Sequence, residues 1–108
     1  MKLLVCIVQD NDVGALMEDL VENNYRVTRL SSTGGFLKSG NTTLLLGVEE
    51  EDVSQAIAII ERNCRRRQTM TTMMNPQLDG GIYQSIPIEI EVGGATVFQL
   101  DVDQVFRL

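Results

Sequence analysis

The feature that most restricts the fold is residues 3–8 (LLVCIV), six consecutive apolar residues near the N-terminus. The run is far shorter than the roughly 20 apolar residues of a transmembrane helix. Its length and β-branched content are typical of a strand that is buried on both faces in the middle of a sheet. We therefore predict a sheet built around residues 3–8, and no membrane-spanning segment.

The segments that follow alternate between helical and extended patterns. Asp10, Asn11 and Asp12 can cap a helix whose apolar residues recur with helical spacing over 13–21. Residues 25–31 and 41–48 predict two strands joined as a hairpin. Both segments can return to the sheet that contains the first strand.

A second helix and a last strand complete the chain. Four acidic residues at 49–52 precede an amphipathic helix that ends at Arg65, Arg66 and Arg67, a charge order that suits the helix dipole. Residues 86–92 (IPIEIEV) alternate strictly, and after a glycine pair residues 95–102 continue as a strand. This order predicts one α+β domain over residues 1–108, a ferredoxin-like βαββαβ fold with an extended last strand.

Two stretches show no helical or strand period. Residues 32–40 (STGGFLKSG) are rich in glycine and hydroxyl groups, and residues 68–85 combine Thr, Met, Asn-Pro and Asp-Gly-Gly. Loops as long as residues 68–85 in a compact domain usually have a function. We expect both to be mobile segments that contact a ligand, although a hairpin tip rich in Gly and Ser is also an ordinary turn.

The charge and the residue types exclude several functions. Nine Lys and Arg against fifteen Asp and Glu give a net charge of −6, which disfavours binding of nucleic acid polymers but permits a small anion at a local cation. The chain has no His, which removes Ser-His and Cys-His catalysis and His-based zinc sites. We expect Cys6 and Cys64 to be buried reduced thiols. No catalytic, metal or cofactor set is apparent, and no signal peptide precedes the first strand, so we expect a cytoplasmic, non-enzymatic protein that begins at Met1.

Strand periodicity identifies candidate ligand-binding residues. Arg26 and Thr28 share one sheet face, and Asn41 and Gly47 share a face on the returning strand. A guanidinium beside a hydroxyl, an amide and a residue without a side chain could hold a flat ring with a phosphate nearby. The alternative is an exposed sheet face on which Arg26 pairs with a surface carboxylate. In the same way, the three arginines at 65–67 could attract phosphate or simply form a solvated helix end.

Two strings are specific enough to suggest a family. The loop STGGFLKSGNTT over residues 32–43 and the string EVGGATVF over residues 91–98 resemble those of the PII-like cyclic di-AMP receptors of the PstA or DarA type. The resemblance spans nearly the whole chain except residues 65–85. It implies a bacterial signal-transduction protein, a homotrimer of ferredoxin-like subunits with cyclic di-AMP in each cleft between neighbours. The trimer would cover the sheet face that this chain's two helices leave bare.

The resemblance also assigns residues to the ligand. Arg26 would lie near a phosphate, and Asn41 and Gly47 would contact the base. The remaining residues would line, enclose or close the cleft: Thr28, Phe36, Leu37, Gly93, Gly94 and Phe98. Lys38, Asp101 and Arg107 depart from the family pattern.

Two other functions stay open at this stage. ATP-sensing PII proteins carry a GDGKIF-type motif where this chain has GGATVF without a Lys, which disfavours ATP as the ligand. The chain could nevertheless be a PII-like sensor of ATP, ADP or AMP, or a small trimeric enzyme that uses the same cleft. The sequence does not identify the downstream protein.

Overall fold

The computed structural model describes residues 1–30, 40–75 and 84–108. In these ranges the chain forms strands and two α-helices, with a single 3-10 turn, Glu50–Asp52, before the second helix. The helices are α1 (Asp10–Glu22) and α2 (Val53–Cys64); the strands are β1 (Lys2–Gln9), β2 (Val27–Leu30), β3 (Asn41–Val48), β4 (Arg67–Asn75), β5 (Gln84–Val92) and β6 (Ala95–Asp101).

The main sheet has four strands in the order β2-β3-β1-β6. All its neighbours are antiparallel, and β1 pairs with β3 on one side and β6 on the other, as expected for a central strand. The α+β class is confirmed, and the strand order is compatible with the ferredoxin-like arrangement. The strands predicted at 3–8 and 41–48 are confirmed, and that predicted at 25–31 is present as β2.

The hydrophobic core lies between this sheet and the two helices. Along β1 every second residue (Leu4, Cys6 and Val8) is buried, which is the period of a strand with one face against the core. The helices contribute the matching apolar face through Leu16, Leu20, Ala56, Ile59, Ile60 and Cys64. Neither helix in the described ranges is long and apolar enough to span a membrane.

The predicted capping of α1 by acidic residues is wrong in detail. Gln9 is the N-cap, and no side chain caps the helix. Asp10 instead accepts a hydrogen bond from the Thr42 hydroxyl at 2.5 Å, and Asp12 pairs with Arg67. Thr42 and Arg67, which are distant in sequence, thus bind the carboxylates that the sequence pattern assigns to the N-terminus of the helix.

A polar cluster joins the two helices on their outer side. The Asp19 carboxylate accepts hydrogen bonds from Arg62 Nε at 2.7 Å and from Asn63 Nδ2 at 2.7 Å. The hydrogen bonds from Arg62 and then Asn63 lower the pKa of Asp19 to about 2. This contact fixes how α1 packs against α2.

The opposite face of the main sheet carries apolar side chains that neither of the two described helices covers. Leu3, Val5 and Ile7 of β1 point to this open face and are only partly exposed. On the outer strands, Leu30, Phe98 and Leu100 are 42, 54 and 47% exposed. The predicted bare apolar face is therefore present; its occupant stays a prediction.

Residues 68–85 are not the irregular segment that the sequence suggests. Strands β4 and β5 pair antiparallel from Arg67–Val92 to Asn75–Gln84, and they form a separate two-stranded sheet, which we call the arm. Residues 76–83 lie outside the described ranges. The prediction failed because β5 alternates strictly and needs a partner, and the Thr-rich segment before it supplies one.

The extended last strand is also divided. Gly93 and Gly94 have φ values of +88° and +98°, a conformation that side chains oppose. They turn the chain between β5 in the arm and β6 in the main sheet. The predicted bend is present, but it separates two sheets and does not prolong one strand.

Candidate functional site

The predicted ligand residues on the main sheet share the open face. Thr28 lies opposite Leu45, Leu45 opposite Val5, and Val5 opposite Phe98, and directly opposite residues point to the same face. The same register puts Asn41 opposite Gln9 and Gly47 opposite Leu3. Phe36 and Leu37 lie outside the described residues.

A groove of about 300 Å³ lies at one end of this face, and we call it the Arg26 groove. Arg26, Gly47 and Arg107 line it, together with the acidic residues Glu49 and Asp52. Arg26 forms no ion pair within the described residues. A Cβ at Gly47 would meet only Met1 Sδ, at 3.9 Å, so Gly47 leaves open space over the sheet.

Tyr25 fixes the backbone next to Arg26. Its hydroxyl lies 2.9 Å from Gln55 Oε1 and 3.1 Å from the Asp52 carbonyl, so it donates to one of them. Burial, with the nearby Asp52 charge, raises the pKa of Tyr25. The hydroxyl therefore stays protonated, and β2 stays attached to the start of α2.

A second groove of about 220 Å³ lies at the other end, and we call it the Gly93 groove. Asn41, Gly93 and Gly94, which the sequence predicts as ligand residues, line it. Of the other lining residues, Arg66 was predicted as one of three arginines that could attract phosphate, and the sequence did not predict Ile7, Gln9, Ala95 and Thr96. Gln9 and Arg66 add an amide and a guanidinium to this end of the face.

The two glycines are held by close backbone contacts. A Cβ at Gly93 would stand 2.4 Å from the Arg65 carbonyl oxygen and 2.6 Å from Arg67 Nη1, a separation that real Cβ atoms do not show. The Gly93 amide donates to Gln9 Oε1 at 2.7 Å, and the Gly94 amide donates to the Cys64 carbonyl. Because both N–H groups are used, the glycines offer a ligand space and carbonyl oxygens, not donors.

An ion pair holds the arm at the same place. Arg67 Nη2 lies 2.7 Å from Asp12 Oδ1, and Nη1 donates to the Arg65 carbonyl at 3.1 Å. The Asp12 side chain is 5% exposed, and its Oδ2 has no hydrogen-bond partner within the described ranges. Arg67 is the first residue of β4 and pairs with Val92, so this contact fixes the base of the arm beside the Gly93 groove.

The two grooves are well separated along the sheet. Asn41 and Gly47 are six residues apart on β3, which corresponds to about 20 Å. Phe98 lies between them, opposite Val5 in the middle of β1. A single chain therefore presents Arg26 and Gly47 at one end of the face and Asn41, Gly93 and Gly94 at the other.

A larger groove of about 440 Å³ lies on the helix side of β6. We call it the α2 groove; Ile57, Ile60 and Val97 give it an apolar wall. Of the predicted ligand residues that the structure describes, only Gly94 borders it. Its size exceeds that of the other two grooves, but its lining lacks the amide and hydroxyl groups that recognise a base.

The two cysteine thiols are not activated nucleophiles. Cys6 and Cys64 are buried free thiols, as predicted. Burial raises the pKa of Cys6 to about 12 and that of Cys64 to about 11, so both stay protonated near neutral pH and are poor nucleophiles. No group of three or more His, Cys, Asp or Glu side chains in the described ranges could hold a metal ion.

Both the sequence and the fold are similar to those of known proteins. Residues 1–108 match the protein-family model described as cyclic-di-AMP receptor. The fold is also similar to the crystal structure of a functionally unknown protein from Pediococcus pentosaceus ATCC 25745. That protein is 42% identical, the match covers 99% of this chain and 96% of the other, and the TM-score is 0.77.

Proposed function

Because the chain belongs to the cyclic-di-AMP receptor family, we propose that it binds cyclic di-AMP and acts as a non-enzymatic signal-transduction module of PII-like type. The family match over the whole chain is the observation that carries this proposal. The two protonated, buried thiols are consistent with a binding protein.

The ligand would lie between copies of the chain. The open sheet face is apolar and lacks a cover in one chain, and the candidate residues fall into two groups about 20 Å apart. A homotrimer would cover the face and could bring a group from one copy close to a different group of its neighbour. Each cleft would then be completed by two copies, and the two partial grooves of one chain support this arrangement.

Individual residues would have distinct roles in such a cleft. Arg26 would bind a phosphate, Asn41 would hydrogen-bond adenine, and the open space at Gly47 would let a base approach the backbone. Thr28 and Phe98 would line the sheet between these points. Gly93 and Gly94 would close the other end, with Phe36 and Leu37 around the adenine.

Binding would be transmitted through the arm. Gly93 and Gly94 border the groove and also connect the arm to the main sheet. A ligand that contacts them can change the arm only if its contacts differ between two arm orientations. A downstream protein in the cytoplasm of a bacterial cell would then recognise the changed surface.

Calorimetry and thermal melting with a nucleotide panel test the proposal. The panel contains cyclic di-AMP, cyclic di-GMP, ATP, ADP and AMP. Cyclic di-AMP at 100 times its dissociation constant should add about 2.7 kcal/mol of apparent stability per site. Tighter binding of ATP, ADP or AMP would support a different adenine sensor, and absence of binding by every nucleotide would contradict both. A light-scattering mass of three chains is expected in solution.

Arg26→Ala tests the site itself. Arg29→Ala is the matched control, because Arg29 lies three residues further along, on β2 opposite Leu44, and so points to the helix-covered face. We expect Arg26→Ala to remove most cyclic di-AMP binding without unfolding the assembly. Arg29→Ala should bind cyclic di-AMP as the wild type does. Equal affinities for the two variants would remove Arg26 from the site.

Asn41→Ala tests recognition of the base. An amide can donate and accept at once, which suits adenine. The variant should lose part of its preference for cyclic di-AMP over cyclic di-GMP. An unchanged preference would show that Asn41 does not recognise the base.

A further inference from the structure

The Gly93 groove is cationic in an otherwise acidic chain. The protein has a net charge of −6, and the Arg26 groove places Glu49 and Asp52 beside its arginines. In contrast, Arg66 is the one charged residue in the described lining of the Gly93 groove. An anion that enters this groove therefore meets a guanidinium without a carboxylate in the same wall.

The Arg66 side chain lies along Gly94. A Cβ at Gly94 would be 3.4 Å from Arg66 Cγ and 3.5 Å from Arg66 Nε, so the glycine leaves room for the arginine to cross the backbone. The side chain remains 79% exposed. The side chain thus lies beside the groove and is open to solvent.

The neighbouring arginines are placed differently. Arg67 is paired with Asp12 at the base of the arm, and Arg65 borders the α2 groove but not the Gly93 groove. Arg66 borders both grooves. Consecutive residues of the same charge therefore have three different environments, and only Arg66 of the three borders the Gly93 groove.

Among the described residues, only a weak ion pair competes for Arg66. Its Nε lies 3.7 Å from Glu91 Oε1, and both side chains are well exposed, so the pair is longer than a hydrogen bond and screened by water. The planar guanidinium fork suits a phosphate, which can accept two parallel N–H bonds. A phosphodiester can replace the Glu91 contact at little cost.

We propose that Arg66 is the phosphate-binding cation of the Gly93 groove and that it holds one phosphate of the cyclic dinucleotide next to Asn41. This assignment rests on the proposed function, and it adds a second cation, distant from Arg26 within one chain. The ion pair between Arg67 and the buried Asp12 carboxylate positions Arg66, because it fixes the next residue against α1.

Arg66→Gln against Arg65→Gln is the direct test. Both variants remove one charge at adjacent positions, so they change the overall field equally. We expect Arg66→Gln to weaken cyclic di-AMP binding about 10- to 100-fold and to reduce the slope of log affinity against log salt by about one. Arg65→Gln should retain the wild-type slope and lose less than about threefold in affinity.

The outcomes separate the two proposals. If the wild-type protein does not bind cyclic di-AMP, the proposed function fails. If it binds and the two variants behave alike, the function stands and the role of Arg66 is overturned. Arg66→Lys keeps the charge without the fork, so binding between that of Arg66→Gln and the wild type is expected; full wild-type binding would show that charge alone suffices and overturn the fork geometry.

Glu91→Gln provides a test of opposite sign. Removing the competing carboxylate should tighten binding by about twofold to threefold, and Glu89→Gln is the control for the same charge change two residues away. Equal effects of the two variants would contradict competition at Arg66. Thermal melting of each variant confirms that the arm sequence change has not unfolded the protein.

Discussion

The main sheet and the arm are both antiparallel β structures, but different interactions stabilise them. The main sheet buries Leu4, Cys6 and Val8 of β1 against two helices, whereas the arm is a two-stranded sheet in which Ile86 and Ile90 are 43 and 38% exposed. Two-stranded hairpins are marginally stable alone. The main sheet and its two helices, which we call the body, are therefore stabilised by their shared core, and the arm by strand pairing and by contacts at its base.

The largest expected contrast is between apolar truncations in the two regions. Leu16→Ala removes a fully buried side chain from the body and should lower the free energy of unfolding by about 2–5 kcal/mol. Ile90→Ala in the arm should cost less than about 1 kcal/mol. Urea unfolding followed by circular dichroism measures both, and similar losses would show that the arm is part of one cooperative core.

A glycine at the base of the arm should be more sensitive than one on the open face. Gly93→Ala combines φ of +88° with a Cβ 2.4 Å from a carbonyl oxygen, and it should cost about 1–3 kcal/mol or more. Gly47→Ala, with its nearest contact at 3.9 Å, should stay within about 0.5 kcal/mol. Equal melting temperatures of the two variants would show that the base of the arm is no more sensitive to an added Cβ than the open face is.

The two thiols extend the comparison to alkaline pH. Each has a folded pKa above the ordinary 9.0, about 12 for Cys6 within the sheet and about 11 for Cys64 near the arm. Above pH 9 the thiols ionise in the unfolded chain but stay neutral in the folded one. The free energy of unfolding therefore keeps its full value below pH 9 and falls as the pH rises from 9 to the folded pKa of each thiol. The slope should be at most about 1.4 kcal/mol per pH unit for each thiol.

Two single variants separate the thiol contributions. Cys64→Ala retains the group with the wider window, and its stability should continue to decline to about pH 12. Cys6→Ala should show a decline that ends near pH 11. Identical titration curves of the unfolding free energy would contradict a difference between the two positions.

The smallest effect concerns one hydrogen bond at the base. Gln9→Ala removes the acceptor of the Gly93 amide and should cost about 1 kcal/mol, with faster hydrogen exchange at Gly93 and in β5. Gln68→Ala, at an exposed position of the arm, is the control. If exchange also accelerates equally in β1, the bond stabilises the whole protein and not the arm specifically.

The parts of the fold that depend on local periodicity were predictable from the sequence. The spacing of Leu16 and Leu20 predicts α1, and the apolar residues of β1 predict a central strand. The strand at Arg67–Asn75 was missed because its Thr and Met residues carry no clear alternation of apolar and polar side chains. Its structure depends on pairing with β5, which a local pattern does not reveal.

The candidate site was predictable only where it follows strand register. Thr28, Asn41 and Gly47 are placed on the open face by alternation alone. Arg66 was identified only as one of three arginines that could attract phosphate, because its position beside the groove depends on the short connection between α2 and β4. Composition could identify three arginines, but only their contacts show that one faces the Gly93 groove.

The pairing of the first strand with the last has a consequence for synthesis on the ribosome. β1 is paired along one edge by β3 and along the other by β6, so the second edge has no partner until Ala95–Asp101 has been translated. A nascent chain that already contains the helices and the β1–β3 pair still presents an unsatisfied apolar strand. At about 5–20 residues per second, that strand is exposed to other nascent chains for several seconds, which makes completion of the C-terminal strand the step that protects the protein from aggregation.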